Sequence, residues 1–191
     1  MARLIYTVNS SLDGYIEDVD GKFDWTDPNE EVFRFITNLI RADGTHLYGR
    51  RMYETMMVWE TDPNLASQSP LMRDFAQVWQ AANKIVYSRT LKAVSTRKTQ
   101  IERTFDPEAI RRLKEAVKQD IHIGGAELAA QAFRSGLIDE CHLFLIPIIV
   151  GGGKPALPDN VRSELELLEE RRFGNGMVFL RYRVRQGTAP Y

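Results

Sequence analysis

Two arginines follow a glycine at a point where a predicted strand meets a predicted helix. In the segment LYGRRMYE, Gly49 ends the strand, and Arg50 and Arg51 open the helix. Positive charge in the first turn of a helix opposes the helix dipole and costs roughly a few tenths of a kcal/mol. A bound phosphate would offset this cost. Taken alone, the motif favours the simpler alternative of two solvated surface arginines.

Two further strand ends carry groups suited to phosphate. Ser88 and Arg89 follow the segment IVY, and a hydroxyl beside a guanidinium suits a phosphate monoester. Gly124 and Gly125 end the segment IHIGG and would let a pyrophosphate approach the following helix N-terminus, although a tight turn could also require them. The spacing G-x-G-x-x-G of ordinary dinucleotide folds is missing here. Three strand ends suited to phosphate, which we call corners, nevertheless indicate a nucleotide site in this short chain.

These corners depend on strands that lead directly into helices. Hydrophobic periodicity and turn residues predict strands over 3–9, 45–49, 83–90 and 120–125, and helices over 28–40, from 50 onward, 71–82, 106–119 and 126–136. Asp27 is the expected N-cap of the second segment, with Pro28 in its first turn. The polar stretch 60–69 is predicted to be a loop, and 98–105 alternates only weakly.

The C-terminal third of the sequence differs from the rest. After Asp139 it consists of extended or alternating segments separated by glycine and proline, without a strong helix. Alternating strands and helices followed by strands predict an α/β fold: a three-layer α/β/α sandwich with a mixed, mainly parallel sheet and antiparallel C-terminal strands. We expect residues 1–191 to form a single domain.

Composition excludes several classes of function. The formal net charge of -1 would not hold the protein on nucleic acid or an anionic membrane. The single cysteine, Cys141, cannot form an intramolecular disulfide, and the absence of a leader-like segment near Met1 favours the cytoplasm. The three histidines are scattered without ligand spacing, so no metal site is expected.

The order of several motifs makes the sequence similar to the dihydrofolate reductase-like family. The motifs are SLDGYI at 11–16, YGRRMYE at 48–54, IVYSR at 85–89, IHIGGAEL at 121–128 and DECHLFLIPIIVGGGKP at 139–155. Within that family, the sequence most resembles stand-alone relatives of the reductase domain of the bifunctional riboflavin-biosynthesis deaminase-reductase. The resemblance implies NADPH as the cofactor and hydride transfer to a small heterocyclic or carbonyl substrate.

The resemblance also assigns residues to the two sides of the cofactor. It places Arg50, Met52, Ser88 and Arg89 along the adenosine phosphates. Gly124, Gly125, Ala126 and Glu127 would surround the pyrophosphate, close to Gly49 and Arg51. The preference for NADPH over NADH would then depend on Arg50, Ser88 and Arg89.

On the substrate side, the resemblance points to the segment FDWTDPNEE. Trp25 and Glu30 fall where dihydrofolate reductases carry a tryptophan and the acid that assists protonation of the substrate ring. A carboxyl group enclosed by apolar residues would have the raised pKa that general acid catalysis needs. The alternative for Glu30 is a first-turn acid favoured by the helix dipole. Asp13 is either a ligand-side residue or a turn former.

The remaining expectations concern the pocket wall and the alternative functions. Trp25, Phe33 and Tyr53 are candidate apolar walls of the substrate pocket, or else ordinary core residues. A nucleotide-binding or sensing protein without the reaction is a second hypothesis, whose signature would be loss of the acid at Glu30. A third is an interaction module whose apolar strand HLFLIPIIV pairs with another copy; a homodimer is also compatible with the enzyme.

Overall fold

One large sheet organises residues 1–185, the part of the chain that the computed structural model describes. Its eight strands lie in the order β5-β4-β3-β6-β1-β7-β10-β9, and a separate two-stranded sheet pairs β2 with β8. The strands are β1 (Leu4–Ser11), β2 (Tyr15–Glu17), β3 (Asp43–Gly49), β4 (Asn83–Tyr87), β5 (Thr99–Glu102), β6 (Asp120–Gly124), β7 (Glu140–Ile146), β8 (Lys154–Pro155), β9 (Leu165–Arg172) and β10 (Val178–Val184).

The direction of the strands follows the predicted division of the chain. Strands β1, β3, β4, β5, β6 and β7 pair in parallel, whereas β10 is antiparallel to both β7 and β9. Crossovers through helices permit parallel pairing, while the short turn between β9 and β10 permits only antiparallel pairing of those two strands. The predicted fold class is therefore confirmed.

Helices cover both faces of the large sheet. They are α1 (Glu30–Ile40), α2 (Arg50–Met56), α3 (Val58–Thr61), α4 (Pro63–Ser67), α5 (Pro70–Ala81), α6 (Pro107–Ala116) and α7 (Ala126–Arg134), with a 3-10 turn at Asp24–Thr26. None of the helices between residues 1 and 185 is both long enough and apolar enough to cross a bilayer.

Side chains that alternate along β3 show how the three layers pack. Leu47 points to the core formed with α6 and α7, and its neighbour Tyr48 points to the core formed with α1 and α5. Because successive side chains of a strand face opposite sides, this one strand contributes to both cores. The space between α1 and the sheet is the part of the fold that forms the candidate site.

Two local predictions were wrong. Helix α1 begins after Asn29 and not after Asp27, since the Asn29 side chain accepts a hydrogen bond from the Val32 N–H at 3.0 Å. The stretch 60–69, predicted to be a loop, contains the second half of α3 and all of α4. Asp62 caps α4 by accepting from the Asn64 N–H at 2.9 Å, so the Asp-Pro pair that suggested a turn starts a helix.

Candidate functional site

The three phosphate-suited corners lie side by side at one edge of the sheet. Gly49 ends β3, Gly124 ends β6, and Ser88 follows the last residue of β4. These strands are neighbours in the order β4-β3-β6 and run parallel, so their carboxyl ends meet at the same edge. Ligands of open α/β sheets bind at this edge.

Two helices present uncapped N-termini to this edge. Neither α2, whose N-cap is Gly49, nor α7, whose N-cap is Gly125, has a side chain that accepts a hydrogen bond from its first turn. The two N-termini are close together, because a Cβ placed on Gly125 would lie 3.9 Å from the Gly49 nitrogen. Free N–H groups and two positive helix ends therefore face the same space.

The adjacent glycines Gly124 and Gly125 serve different physical requirements. Gly125 has φ +97°, a conformation that side chains rarely adopt, and this turns the chain into α7. At Gly124, a Cβ would approach the ring of Tyr48 to 3.0 Å. Packing thus requires glycine at Gly124, and the backbone conformation requires it at Gly125.

The turn after β4 is fastened to the start of α2. The Ser88 hydroxyl accepts hydrogen bonds from the N–H groups of Thr90 (3.3 Å) and Leu91 (3.0 Å). Arg50 donates to the Thr90 hydroxyl at 3.0 Å, and Arg103 donates to the Ser88 carbonyl at 2.9 Å. The exposed Arg89 lies on this turn. Three arginines therefore surround it, although the sequence indicated only Arg50 and Arg89.

Three ion pairs lie at the entrance of the site beside the N-termini of α2 and α7, and we call this entrance the mouth. Arg50 pairs with Glu54 at 2.7 Å, Arg51 with Glu17 at 3.0 Å, and Lys154 with Glu127 at 2.5 Å. The hydrogen bond from Lys154, together with its positive charge, lowers the pKa of Glu127. Sequence analysis missed Glu17 and Lys154, because they lie on the distant segments β2 and β8, which pair only in the folded chain.

A cavity of about 630 Å³ extends from this mouth to the space beneath α1. Eight of the predicted site residues line it: Gly49, Arg50, Arg51, Met52, Gly125, Ala126, Glu127 and Phe33. Seven others lie outside its lining: Ser88, Arg89, Gly124, Trp25, Tyr53, Glu30 and Asp13. The sequence thus indicated much of the mouth and little of the interior.

The inner part of the cavity is mainly apolar, and we call it the inner compartment. Its walls come from α1, from the segment around α2 and α3, and from α5, and its floor comes from β3 and β6; its residues are Phe33, Ile36, Ile40, His46, Met56, Trp59, Phe75 and His122. The rings of Trp59 and Phe75 lie 4.6 Å apart, and those of Phe33 and Phe75 lie 5.0 Å apart. This aromatic wall would exclude water from a bound ring.

Two buried histidines form the floor of the inner compartment. His46 and His122 pair across β3 and β6, with ring centroids 5.2 Å apart. Among the described residues, His46 Nε2 and His122 Nδ1 are buried and have no hydrogen-bond partner. Burial lowers the pKa of His122 to about 4 and that of His46 well below its ordinary value, so both rings are neutral at pH 7. Sequence analysis described these histidines as scattered, but the sheet register brings them together.

Three residues predicted for the substrate side, Tyr53, Trp25 and Glu30, lie elsewhere in the fold. The Tyr53 hydroxyl accepts the Ser95 N–H at 2.9 Å, and its ring is buried. Trp25 packs against the cluster of Phe144 and Phe173. Glu30 is exposed at the start of α1 and does not line the cavity, whereas Phe33, one turn later, does. The structure brings none of these three predicted substrate-side groups to the cavity.

Asp13 holds a glycine-rich loop in place. Its carboxylate accepts hydrogen bonds from the N–H groups of Gly151 at 2.8 Å and Val150 at 3.2 Å. A hydrogen bond with Ser11 lowers the pKa of Asp13 despite an opposing contribution from burial, and the two backbone bonds add to this lowering. This loop leads into β8, which carries Lys154, so Asp13 acts on the mouth of the site through the backbone.

A buried carboxyl group behind the histidines predicts a pH-dependent stability. Burial, and next the charge of Asp120, raise the pKa of Asp43 to about 7, and its Oδ2 lies 3.8 Å from His122 Nδ1. Between about pH 4 and pH 7 the folded protein keeps this proton while the unfolded chain has lost it, so stability falls as pH rises. We expect Asp43→Asn to remove this fall, so that its stability relative to the wild type rises by roughly 4 kcal/mol between pH 4 and pH 7.

Urea denaturation at several pH values measures this difference. The control is Asp159→Asn at an exposed aspartate, which should leave the pH dependence unchanged. A difference between Asp43→Asn and wild type that stays constant from pH 4 to pH 8 would contradict the raised pKa.

The chain was compared with protein families and with known proteins. The model of the RibD C-terminal domain family matches residues 2–179. The uncharacterized protein YyaP of Bacillus subtilis (strain 168) is 28% identical over 184 residues, which cover 94% of each chain. A second uncharacterized protein of that strain, YwjB, is also 28% identical, over 182 residues, with 92% of this chain and 94% of that protein covered.

Solved structures show the same fold at low sequence identity. A Shewanella sp. PV-4 protein assigned to riboflavin biosynthesis has a TM-score of 0.74 at 21% identity, with 97% of this chain and 100% of that chain covered. A Thermotoga maritima diaminohydroxyphosphoribosylaminopyrimidine deaminase/5-amino-6-(5-phosphoribosylamino)uracil reductase has a TM-score of 0.65 at 17% identity. That match covers 96% of this chain and 57% of the longer bifunctional protein.

Proposed function

Because the chain belongs to the RibD C-terminal domain family, we propose that it is an NADPH-dependent reductase of a small heterocyclic or carbonyl substrate. The observation that carries the proposal is the pair of uncapped N-termini of α2 and α7 at one edge of the sheet. Such helix ends bind phosphate through free N–H groups and the positive end of the dipole.

The residues at the mouth fit a dinucleotide with three phosphate groups. Gly125 brings the start of α7 against the start of α2, since a Cβ there would lie 3.6 Å from Met52 Cβ and 3.9 Å from the Gly49 nitrogen, so one pyrophosphate could reach both helix N-termini. Arg89 lies on the turn after β4, Arg50 donates a hydrogen bond to the same turn, and two guanidinium groups suit a phosphate monoester. Lys154 partly neutralises Glu127, which would otherwise repel a phosphate at the start of α7.

The inner compartment would bind and orient the substrate. When bound, NADPH would supply the hydride, and the protein would supply alignment and electrostatics. Phe33, Trp59 and Phe75 would exclude water from the reacting ring. Thr7, Asn9 and His122 line the same cavity and can hydrogen-bond one edge of a substrate.

A second candidate function has one specific observation in its favour. The carboxylates that line the cavity, Glu17 and Glu127, belong to the ion pairs at its mouth, and Glu30 lies outside its lining. A nucleotide-binding or sensing protein would need no acid in the inner compartment.

Fluorescence titration with NADPH tests both functions, because loss of binding refutes both. Oxidation of NADPH with a panel of pterins, pyrimidines and simple aldehydes separates them, since a sensor would bind and not react.

The placement of Glu30 leads to a prediction about catalysis. Since its carboxylate is exposed and does not line the cavity, Glu30→Gln should change kcat/KM by less than about twofold, whereas general acids contribute roughly 10²-fold or more. Steady-state NADPH oxidation measures this, with Glu31→Gln on the same turn as the control. A hundredfold loss in Glu30→Gln alone would restore Glu30 as the acid.

A further inference from the structure

The charges around the cavity divide it into two chemically different parts. The cationic side chains that line it are Arg50, Arg51 and Lys154, all at the mouth and all paired with a carboxylate. The inner compartment is lined by aliphatic and aromatic side chains and by His46 and His122. Both histidines are neutral, because burial lowers their pKa values.

A phosphate in the inner compartment would therefore have no counter-charge. Burying an ionised group without a partner is strongly unfavourable, because the low-polarity surroundings do not replace its hydration. Residues 186–191, which lie outside the described part of the chain, contain no lysine, arginine or histidine, so their side chains could not supply the missing cation. Among the described residues that line the cavity, counter-charges for a phosphate are thus found only at the mouth.

The polar groups in and directly beside the inner compartment suit a neutral ligand edge. His122 is 6% exposed and lines the cavity, where a neutral imidazole can donate or accept a hydrogen bond. Asn9 and Thr7 on β1 line the same cavity beside it, since β1 pairs with β6. The opposite wall is the aromatic group of Phe33, Trp59 and Phe75. A flat ring with one polar edge would meet both surfaces.

We propose that the inner compartment selects a flat, uncharged ring compound without a phosphate group, held by its polar edge against His122 and Asn9. This inference rests on the proposed reductase function. It distinguishes the chain from the Thermotoga maritima reductase, because the substrate in that protein's name, 5-amino-6-(5-phosphoribosylamino)uracil, carries a phosphate.

A matched pair of probes tests the selection by binding alone. Isothermal titration calorimetry would compare 1-naphthol with 1-naphthyl phosphate, on protein saturated with NADP⁺ so that the phosphate sites at the mouth are occupied. We expect 1-naphthol to bind at least tenfold more tightly. Equal or tighter binding of 1-naphthyl phosphate, or binding of neither compound, would overturn the proposal. Failure of NADP⁺ itself to bind would refute the proposed function separately, and the two probes would then be compared on the free protein.

An arginine introduced into the lining of the cavity provides the second test of the preference for uncharged ligands. Thr55 and Thr61 are both exposed helical residues whose hydroxyls donate to the carbonyl four residues earlier at 3.1 Å, but only Thr55 lines the cavity. Thr55→Arg should strengthen the binding of 1-naphthyl phosphate at least tenfold, and Thr61→Arg should leave it within twofold. No gain from Thr55→Arg, or an equal gain from Thr61→Arg, would contradict the argument that a missing counter-charge sets the preference.

Discussion

Replacing Arg50 and Arg89 together by alanine is expected to weaken NADPH binding by roughly 10² to 10⁴-fold and NADH binding by less than tenfold. Each hydrogen bond to a charged group contributes about 1.5 to 3 kcal/mol, and every 1.4 kcal/mol is a factor of ten in affinity. Arg50 already donates to Thr90, the neighbour of Arg89 on the turn after β4, so the two arginines belong to the same edge of the site. NADH has no 2'-phosphate for them to bind.

Fluorescence titration with both cofactors measures this selectivity. The matched control is Arg34→Ala with Arg134→Ala, two exposed arginines that do not line the cavity, which should change neither affinity by more than twofold. Equal losses for NADPH and NADH in the Arg50 and Arg89 variant would refute the assigned role. Each single variant should retain part of the selectivity, because both arginines would contact the same phosphate group.

Replacing Glu140 by glutamine is expected to destabilise the fold by roughly 3 to 5 kcal/mol, the usual result of breaking a buried ion pair from one side. The Glu140 side chain is buried and accepts hydrogen bonds from Arg3 at 2.6 Å, from Arg181 at 2.8 Å and from His142 at 3.2 Å. These contacts join β1, β7 and β10. A neutral glutamine would leave Arg3 with Asp120 alone and Arg181 with only the longer contact to Glu169 at 3.8 Å, and both arginines would lose their buried partner.

The stability that Glu140→Gln loses is expected to decrease as pH falls. Burial by itself would raise the pKa of Glu140, but hydrogen bonds from His142 and Arg181 and the charges of both arginines hold it well below its ordinary value of 4.5. A carboxyl group whose pKa is lowered by folding contributes its stability above the unfolded pKa and loses it as pH falls. The difference between wild type and Glu140→Gln should therefore be largest near pH 7 and shrink below pH 4.

Urea denaturation provides the measurement, and an exposed ion pair on the neighbouring strands provides the control. Glu166 pairs with Arg183 at 3.0 Å between β9 and β10, where solvent weakens the attraction. Glu166→Gln should cost less than about 1 kcal/mol. If Glu140→Gln cost no more than this control at pH 7, the stabilising role assigned to the buried network would be wrong.

Local signals explain which elements could be predicted from the sequence. Helix α6 was predicted to begin at Asp106 and Pro107, and it does, because the cap, the proline and the apolar period all lie within one short segment. The start of α1 was misplaced because Asp27 and Asn29 are both acceptable caps. Only the structure shows that Asn29 makes the bond. Competing local signals are decided by how the helix packs.

Local signals were sufficient to predict the three glycine or arginine corners, because each lies within a few consecutive residues, and the order of strand and helix patterns was sufficient to predict the fold class. Which side chains share the cavity depends instead on the three-dimensional packing. His46 meets His122, and Glu17 and Lys154 enter the mouth, through strand pairings between segments more than 70 residues apart. The same packing leaves Glu30 outside. Long-range strand pairing brings these side chains together, since the register of a sheet depends on the partner strand as well as on the strand's own sequence.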